Sequence, residues 1–212
     1  MTSQASFWDN MAVRYSKSPI RDMEAYNASL DRTRSYLKPT DTALELGCGT
    51  GGTARILAPH LAHITATDIS SEMIRIARER AAEEGTQNAK FEVADLETSL
   101  PKGGPYDVVM AHNLIHLLPD PTAAMQEVAN LVKPGGLFIS KTPCLAKAEL
   151  GWKWRLMVMA IPLMQLLGKA PHVTSFSITE LEQMILDAGF TIVETGSYPV
   201  TPPGRYIVAR RD

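Results

Sequence analysis

With 212 residues, 45% of them apolar and 21% charged, the chain has the makings of one medium globular domain that buries roughly 70% of its unfolded surface. A net charge of −2 offers no general attraction to polyanions, and the basic clusters Arg75-Arg78-Arg80 and Arg210-Arg211 read as solvated faces, so no nucleic-acid partner is expected. Cys48 and Cys144 have no zinc-type spacing, no secretory leader is recognisable, and the longest apolar run, Leu156 to Leu167, falls short of the ~20 residues that span a bilayer; a cytoplasmic protein without disulfides, metal or membrane span is expected.

In chain order, a helical cap over about residues 1–38 precedes a first strand, Thr42 to Leu46, and a helix from Thr53 to His60. Ile64 to Thr67 reads as a second strand. The helix after it, Ser71 to Glu84, carries Met73, Ile76, Ala77 and Ala81 at helical spacing and stops before Gly85. Lys90 to Ala94 is a third strand, and Tyr106 to Ala111 a fourth of the continuous apolar kind buried on both faces. Pro121 opens a helix reaching Val132, and Pro134-Gly135-Gly136 turns the chain into a fifth strand, Leu137 to Ser140. Residues 143–176 break the alternation with helical, Trp- and Met-rich pieces; a helix at Thr179 to Ala188 and strands at Thr191 to Glu194 and Tyr206 to Ala209 follow. Strand and helix alternating with short connections indicate an α/β fold with a parallel sheet covered by helices.

In such sheets ligands sit beyond the carboxyl ends of the strands. After the first strand comes ELGCGTGG, whose Gly47, Gly49 and Gly52 fit the dinucleotide spacing G-x-G-x-x-G. Glu45 argues against a diphosphate. At ~5 Å and an effective dielectric of ~20 its carboxylate repels each negative charge by roughly 3 kcal/mol, and attracts an ammonium or sulfonium comparably. After the second strand, Asp68 can accept from both hydroxyls of a ribose diol, whichever cofactor is bound. After the third, Asp95 can accept from an exocyclic amine, or simply cap an Asx-turn. After the fourth come His112 and Asn113, with His116 close by.

These segments together, LELGCGTGG, TATDISSEMI, EVADLE, YDVVMAHNLIHLLPD and KPGGLFIS, resemble the class I S-adenosylmethionine-dependent methyltransferases, small-molecule type, well over about residues 24–142 and more loosely beyond 177. The resemblance implies a Rossmann-like three-layer sandwich whose seven-stranded, mostly parallel sheet ends in an antiparallel strand, and S-adenosyl-L-methionine as cofactor. Carried onto this sequence, Gly47, Cys48, Gly49 and Gly51 would meet the methionine part beside Glu45. Asp68 would hold the ribose, Ile69 and Met73 the adenine faces, Asp95 and Leu96 the adenine edge, and His112 would lie near the transferred methyl. FWDNMAVRYSK is similar to the aromatic segment that such enzymes fold over the cofactor, with Tyr15 the first candidate and Trp8 the second; plain helix packing is the alternative for both.

An oxygen or protonated nitrogen acceptor needs a base, and His112 and His116 are the candidate catalytic residues. His116 could equally cap or pack within its apolar segment. Their i, i+4 spacing also suits a metal, but a third ligand is missing and none is expected. Base-methylating relatives carry Asn/Asp-Pro-Pro-aromatic where this chain has His112-Asn113-Leu114-Ile115, which again argues against a nucleic-acid substrate. The insertion at about 143–176, with Trp152, Trp154, Met157, Met159, Leu163, Met164 and Leu167, would form an adaptable apolar lid over a small, apolar acceptor. It could also pack as a plain hairpin or dip into a membrane surface. Two alternatives to the methyltransferase reading are an NAD(P)-dependent oxidoreductase and a non-catalytic cofactor-binding protein at a membrane surface.

Overall fold

The computed structural model describes residues 4–96, 103–146 and 150–212, and within α6 it does not describe the side chains of Lys153 and Met157. Met157, counted above in the lid wall, and the parts of the cap and lid at 1–3 and 147–149 therefore lie outside the described residues.

Seven strands form one sheet: β1 (Thr42–Leu46), β2 (His63–Asp68), β3 (Ala89–Val93), β4 (Tyr106–His112), β5 (Val132–Pro143), β6 (Phe190–Ser197) and β7 (Gly204–Arg211). Their order is β3-β2-β1-β4-β5-β7-β6, with β7 antiparallel to both its neighbours and the β3-to-β5 portion parallel. The chain runs outward from β1 to β3, then restarts at β4 on the other side of β1. This reversal opens a crevice beyond the carboxyl ends of β1 and β4.

Side-chain alternation along the strands makes two cores. Ala43 on β1 and Val108 and Met110 on β4 face α2 (Met23–Arg34), α3 (Gly52–Leu57) and α4 (Ser71–Glu83), meeting Leu30, Leu57 and Ile74. Leu44, Leu46, Val109 and Ala111 face α5 (Pro121–Leu131) and α7 (Ile178–Asp187), meeting Met125, Val128, Leu181 and Ile185. Each of these long-buried strands reads as an apolar run because both faces are covered.

Local chemistry sets the helix ends. Ser70 caps α4 by accepting from Met73 N–H, Asp120 caps α5 with Pro121 in its first turn, and Ser177 and Glu180 form a capping box on α7. The helix expected over Thr53 to His60 stops at Leu57 and tightens into a 3-10 turn at Ala58–His60, where Pro59 cannot donate.

β5 is longer than expected. Its pairing with β4 starts at Val132 opposite Tyr106, skips, and resumes at Leu137 opposite Val108, so Pro134-Gly135-Gly136 is a bulge within the strand. Among its described residues the insertion contains one helix, α6 (Trp152–Leu166), whose flanks are anchored by the buried Cys144, Leu150 and Phe176. Before the sheet, α1 (Gln4–Lys17) packs Ala12 against Met73 and Ile76 of α4.

Candidate active site

The glycine turn after β1 is held by Asp68. One carboxylate oxygen accepts from Gly49 N–H at 2.8 Å and the other from Ser70 N–H at 2.9 Å, while Cys48 N–H donates to the Thr67 carbonyl. Burial pushes the Asp68 carboxyl above its ordinary pKa, against the lowering by these two amides. The residue at the tip of β2 thus fixes the turn as well as facing the crevice.

Gly47, Gly49 and Gly51 all have positive φ, at 63°, 54° and 74°. Gly51 has a packing reason of its own: a Cβ there would stand 2.7 Å from Phe91 Cε1 and 3.0 Å from Ala77 Cβ. Its backbone faces the α4–β3 layer. At Gly49 the nearest neighbour is the ring of Tyr15, 3.5 Å from where a Cβ would stand.

A cavity of about 840 Å³ opens at the carboxyl ends of the strands. At one end its wall is made by Gly47, Gly49, Asp68, Ile69, Met73, Asp95 and Leu96; at the other by Leu114, Leu117, Leu118, Leu145, Ile161 and Val173. His112 and His116 lie between, and Trp8 and Tyr15 of α1 close one side. The structure therefore brings most of the expected site residues onto one surface. Glu45, Cys48 and Gly51 do not line it. Cys48 is buried within the turn, its thiol directed to the Gly49 carbonyl and pushed well above its ordinary pKa, first by burial and then by Glu45 and Asp68.

Glu45 lies just behind the wall. It is 2% exposed, on the face of β1 shared with Ala43, and its Oε1 is 3.7 Å from His112 Nδ1. Glu45 Oε2 and both ring nitrogens of His112 are buried without a hydrogen-bond partner among the described residues. Orphaned polar atoms of this kind are costly, and at a cavity edge they mark where a polar ligand completes the network. The acceptor-rich set of Glu45, Asp68 and Asp95 with close-approach backbone fits a ligand bearing hydroxyls, an amine and positive charge, as S-adenosylmethionine does. Desolvation lowers the pKa of His116 to about 4, so it is a neutral, weakly basic wall.

Several residues escaped the sequence reading. Asp9 of α1 accepts from Ser70 Oγ at 2.6 Å and from Glu72 N–H at 3.1 Å, clamping the roof helix onto the start of α4. No local pattern could announce a cap supplied from 61 residues away. Gln4 Nε2 donates to the Leu117 carbonyl, and Thr174 N–H, beyond α6, donates to the His116 carbonyl. Asn113, expected at the site from its place after the fourth strand, has φ 56°, a left-handed conformation that asparagine tolerates and that turns the chain into the cavity wall.

A family described as Methyltransferase domain matches residues 20–195. The chain belongs to this family. Among curated relatives, the chain is 36% identical over 99 residues to a ubiquinone biosynthesis O-methyltransferase from Xylella fastidiosa, covering 46% of the chain and 40% of the relative. It is 32% identical over 126 residues to the protein of that name from Xanthomonas axonopodis pv. citri, covering 58% and 52%. The chain thus spans about half the length of the curated relatives it matches. A crystal structure of magnesium protoporphyrin IX methyltransferase from Synechocystis, with bound S-adenosylhomocysteine, superposes with a TM-score of 0.74 over 98% of both chains at 19% identity, a likeness of fold.

Proposed function

We propose that this protein transfers the methyl group of S-adenosyl-L-methionine to a small, largely apolar acceptor. The observation that carries the reading is the cavity, polar and glycine-lined beside β1 and β2, apolar beneath α6. When bound, the cofactor supplies a methyl carbon on a good leaving group, and the protein's task is alignment and exclusion of water. Gly47 and Gly49 admit the methionine part, Asp68 accepts from the ribose, Ile69 and Met73 cover the adenine, and Asp95 and Leu96 meet its edge. Trp8 and Tyr15 keep water from that end. An acceptor hydroxyl or ammonium must lose a proton as it is methylated, and His112 receives it on a ring nitrogen while the Glu45 carboxylate, 3.7 Å from Nδ1, stabilises the charged ring.

A nicotinamide dinucleotide is disfavoured by that same buried carboxylate behind the turn. Both cysteines are buried, Cys48 with its thiol turned to the Gly49 carbonyl, as suits a reducing compartment, and we place the protein in the cytoplasm. The test is incubation with methyl-labelled cofactor and a metabolite extract. Label should pass to a small organic-soluble product; label found only in protein or RNA would refute the assignment.

A further inference from the structure

α6 is apolar on two sides. Trp154, Val158, Ile161 and Gln165 are half-buried at spacings of four, three and four, and Ile161 reaches the cavity wall. The other side carries Trp152, Leu156, Met159, Leu163 and Leu166, spaced four, three, four and three, and 59–84% exposed. No described side chain of this helix is fully buried. Five large apolar side chains in one exposed stripe form a contiguous patch of the kind that marks an interaction site.

Along residues 150–176 the charges have one sign. Arg155 and Lys169 are exposed, and no Asp or Glu occurs between residues 150 and 176. A second copy of the chain would bring the same positive flanks. The helix, about 22 Å long, also offers much less than the roughly 800 Å² per partner that a stable dimer buries. An anionic lipid surface matches both features: cations meet headgroups while the stripe enters the boundary beneath them.

We propose that α6 docks this protein on an anionic membrane surface, laying the Trp152-to-Leu166 stripe into the headgroup–acyl boundary. Because Ile161, Pro171 and Val173 line the cavity, its mouth then opens beside the lipid, and an amphiphilic acceptor reaches His112 without crossing water. This rests on the proposed function only in placing the acceptor; the docking itself needs no turnover.

The test is co-sedimentation of the full chain with phosphatidylcholine vesicles, with and without phosphatidylglycerol. Binding should require phosphatidylglycerol, weaken with salt and with Lys169→Glu, and fall about tenfold or more in the double variant Leu156→Ser/Leu163→Ser. Both leucines are exposed, so calorimetry should find the affinity of that variant for S-adenosylhomocysteine unchanged, which separates lost docking from lost fold. The proposal is overturned if the wild type stays in the supernatant with both vesicles, if the double variant binds as tightly, or if light scattering finds a stable dimer that the double variant dissolves. Failure to bind S-adenosylhomocysteine at all would instead refute the proposed function.

Discussion

Substituting Gly51 by alanine separates packing from ligand approach at the glycine turn. The change adds a Cβ at φ 74°, a left-handed conformation that costs a non-glycine residue roughly 1–2 kcal/mol. The same atom meets the Phe91 ring at 2.7 Å and Ala77 Cβ at 3.0 Å, between β3 and α4, where both neighbours are buried. Overpacking adds about 1–3 kcal/mol, for a total of about 2–5 kcal/mol. Gly85, at the end of α4, supplies the control: its φ is 69° and nothing lies within 4 Å of its added Cβ, so Gly85→Ala should cost only the conformational 1–2 kcal/mol or so. Urea unfolding of the two variants reads the difference directly, and calorimetry with S-adenosylhomocysteine reads the site. Gly51→Ala should be the less stable of the two by at least about 1 kcal/mol, with cofactor affinity retained wherever the protein is folded. Equal destabilisation, or a folded Gly51→Ala protein that no longer binds, would refute the packing argument and make Gly51 a contact residue.

Glu45→Gln removes the buried charge behind the turn, and calorimetry should show S-adenosylmethionine binding about 10- to 100-fold more weakly without a gain in NAD affinity reaching the same level. Asp9→Ala deletes the clamp on α4; it should cost about 1 kcal/mol in urea unfolding and speed amide exchange in α1. His116 titrates at about 4 in the folded protein against 6.5 when free, so the unfolded chain binds the extra proton and stability falls as pH drops from about 6.5 towards 4. At pH 5 the loss should be about 2 kcal/mol, and His116→Gln should remove that part of the difference between urea midpoints at pH 7 and pH 5.

The sheet was legible because parallel strands covered on both faces are written as apolar runs, such as Tyr106 to Ala111, and their carboxyl ends could be located by counting. β5 was cut short because Pro134-Gly135-Gly136 has the residues of a turn whether the chain leaves the ladder or bulges and rejoins it; only the pairing with β4 decides. Spacing alone likewise could not separate Gly51, crowded by Phe91 from β3, from Gly47 and Gly49, which do line the cavity. The proximity of Glu45 and His112 follows from the pairing of β1 with β4, which sets Glu45 opposite Met110, two residues before His112 on the same face. Such long-range register carries no local signature. Residues 143–176 were expected only as helical pieces; Trp152–Leu166 is one helix that carries Pro162 in its interior with that proline exposed.

The roof helix and the segment returning from α6 are fastened to one short stretch of chain, Gln4 holding the Leu117 carbonyl and Thr174 reaching the His116 carbonyl. Both sides of the cavity therefore share one anchor, although Asp9 ties the roof helix to α4 as well. Loosening residues 115–117 frees one fastening of each, which predicts that entry of the acceptor and escape of the spent donor are kinetically coupled rather than independent.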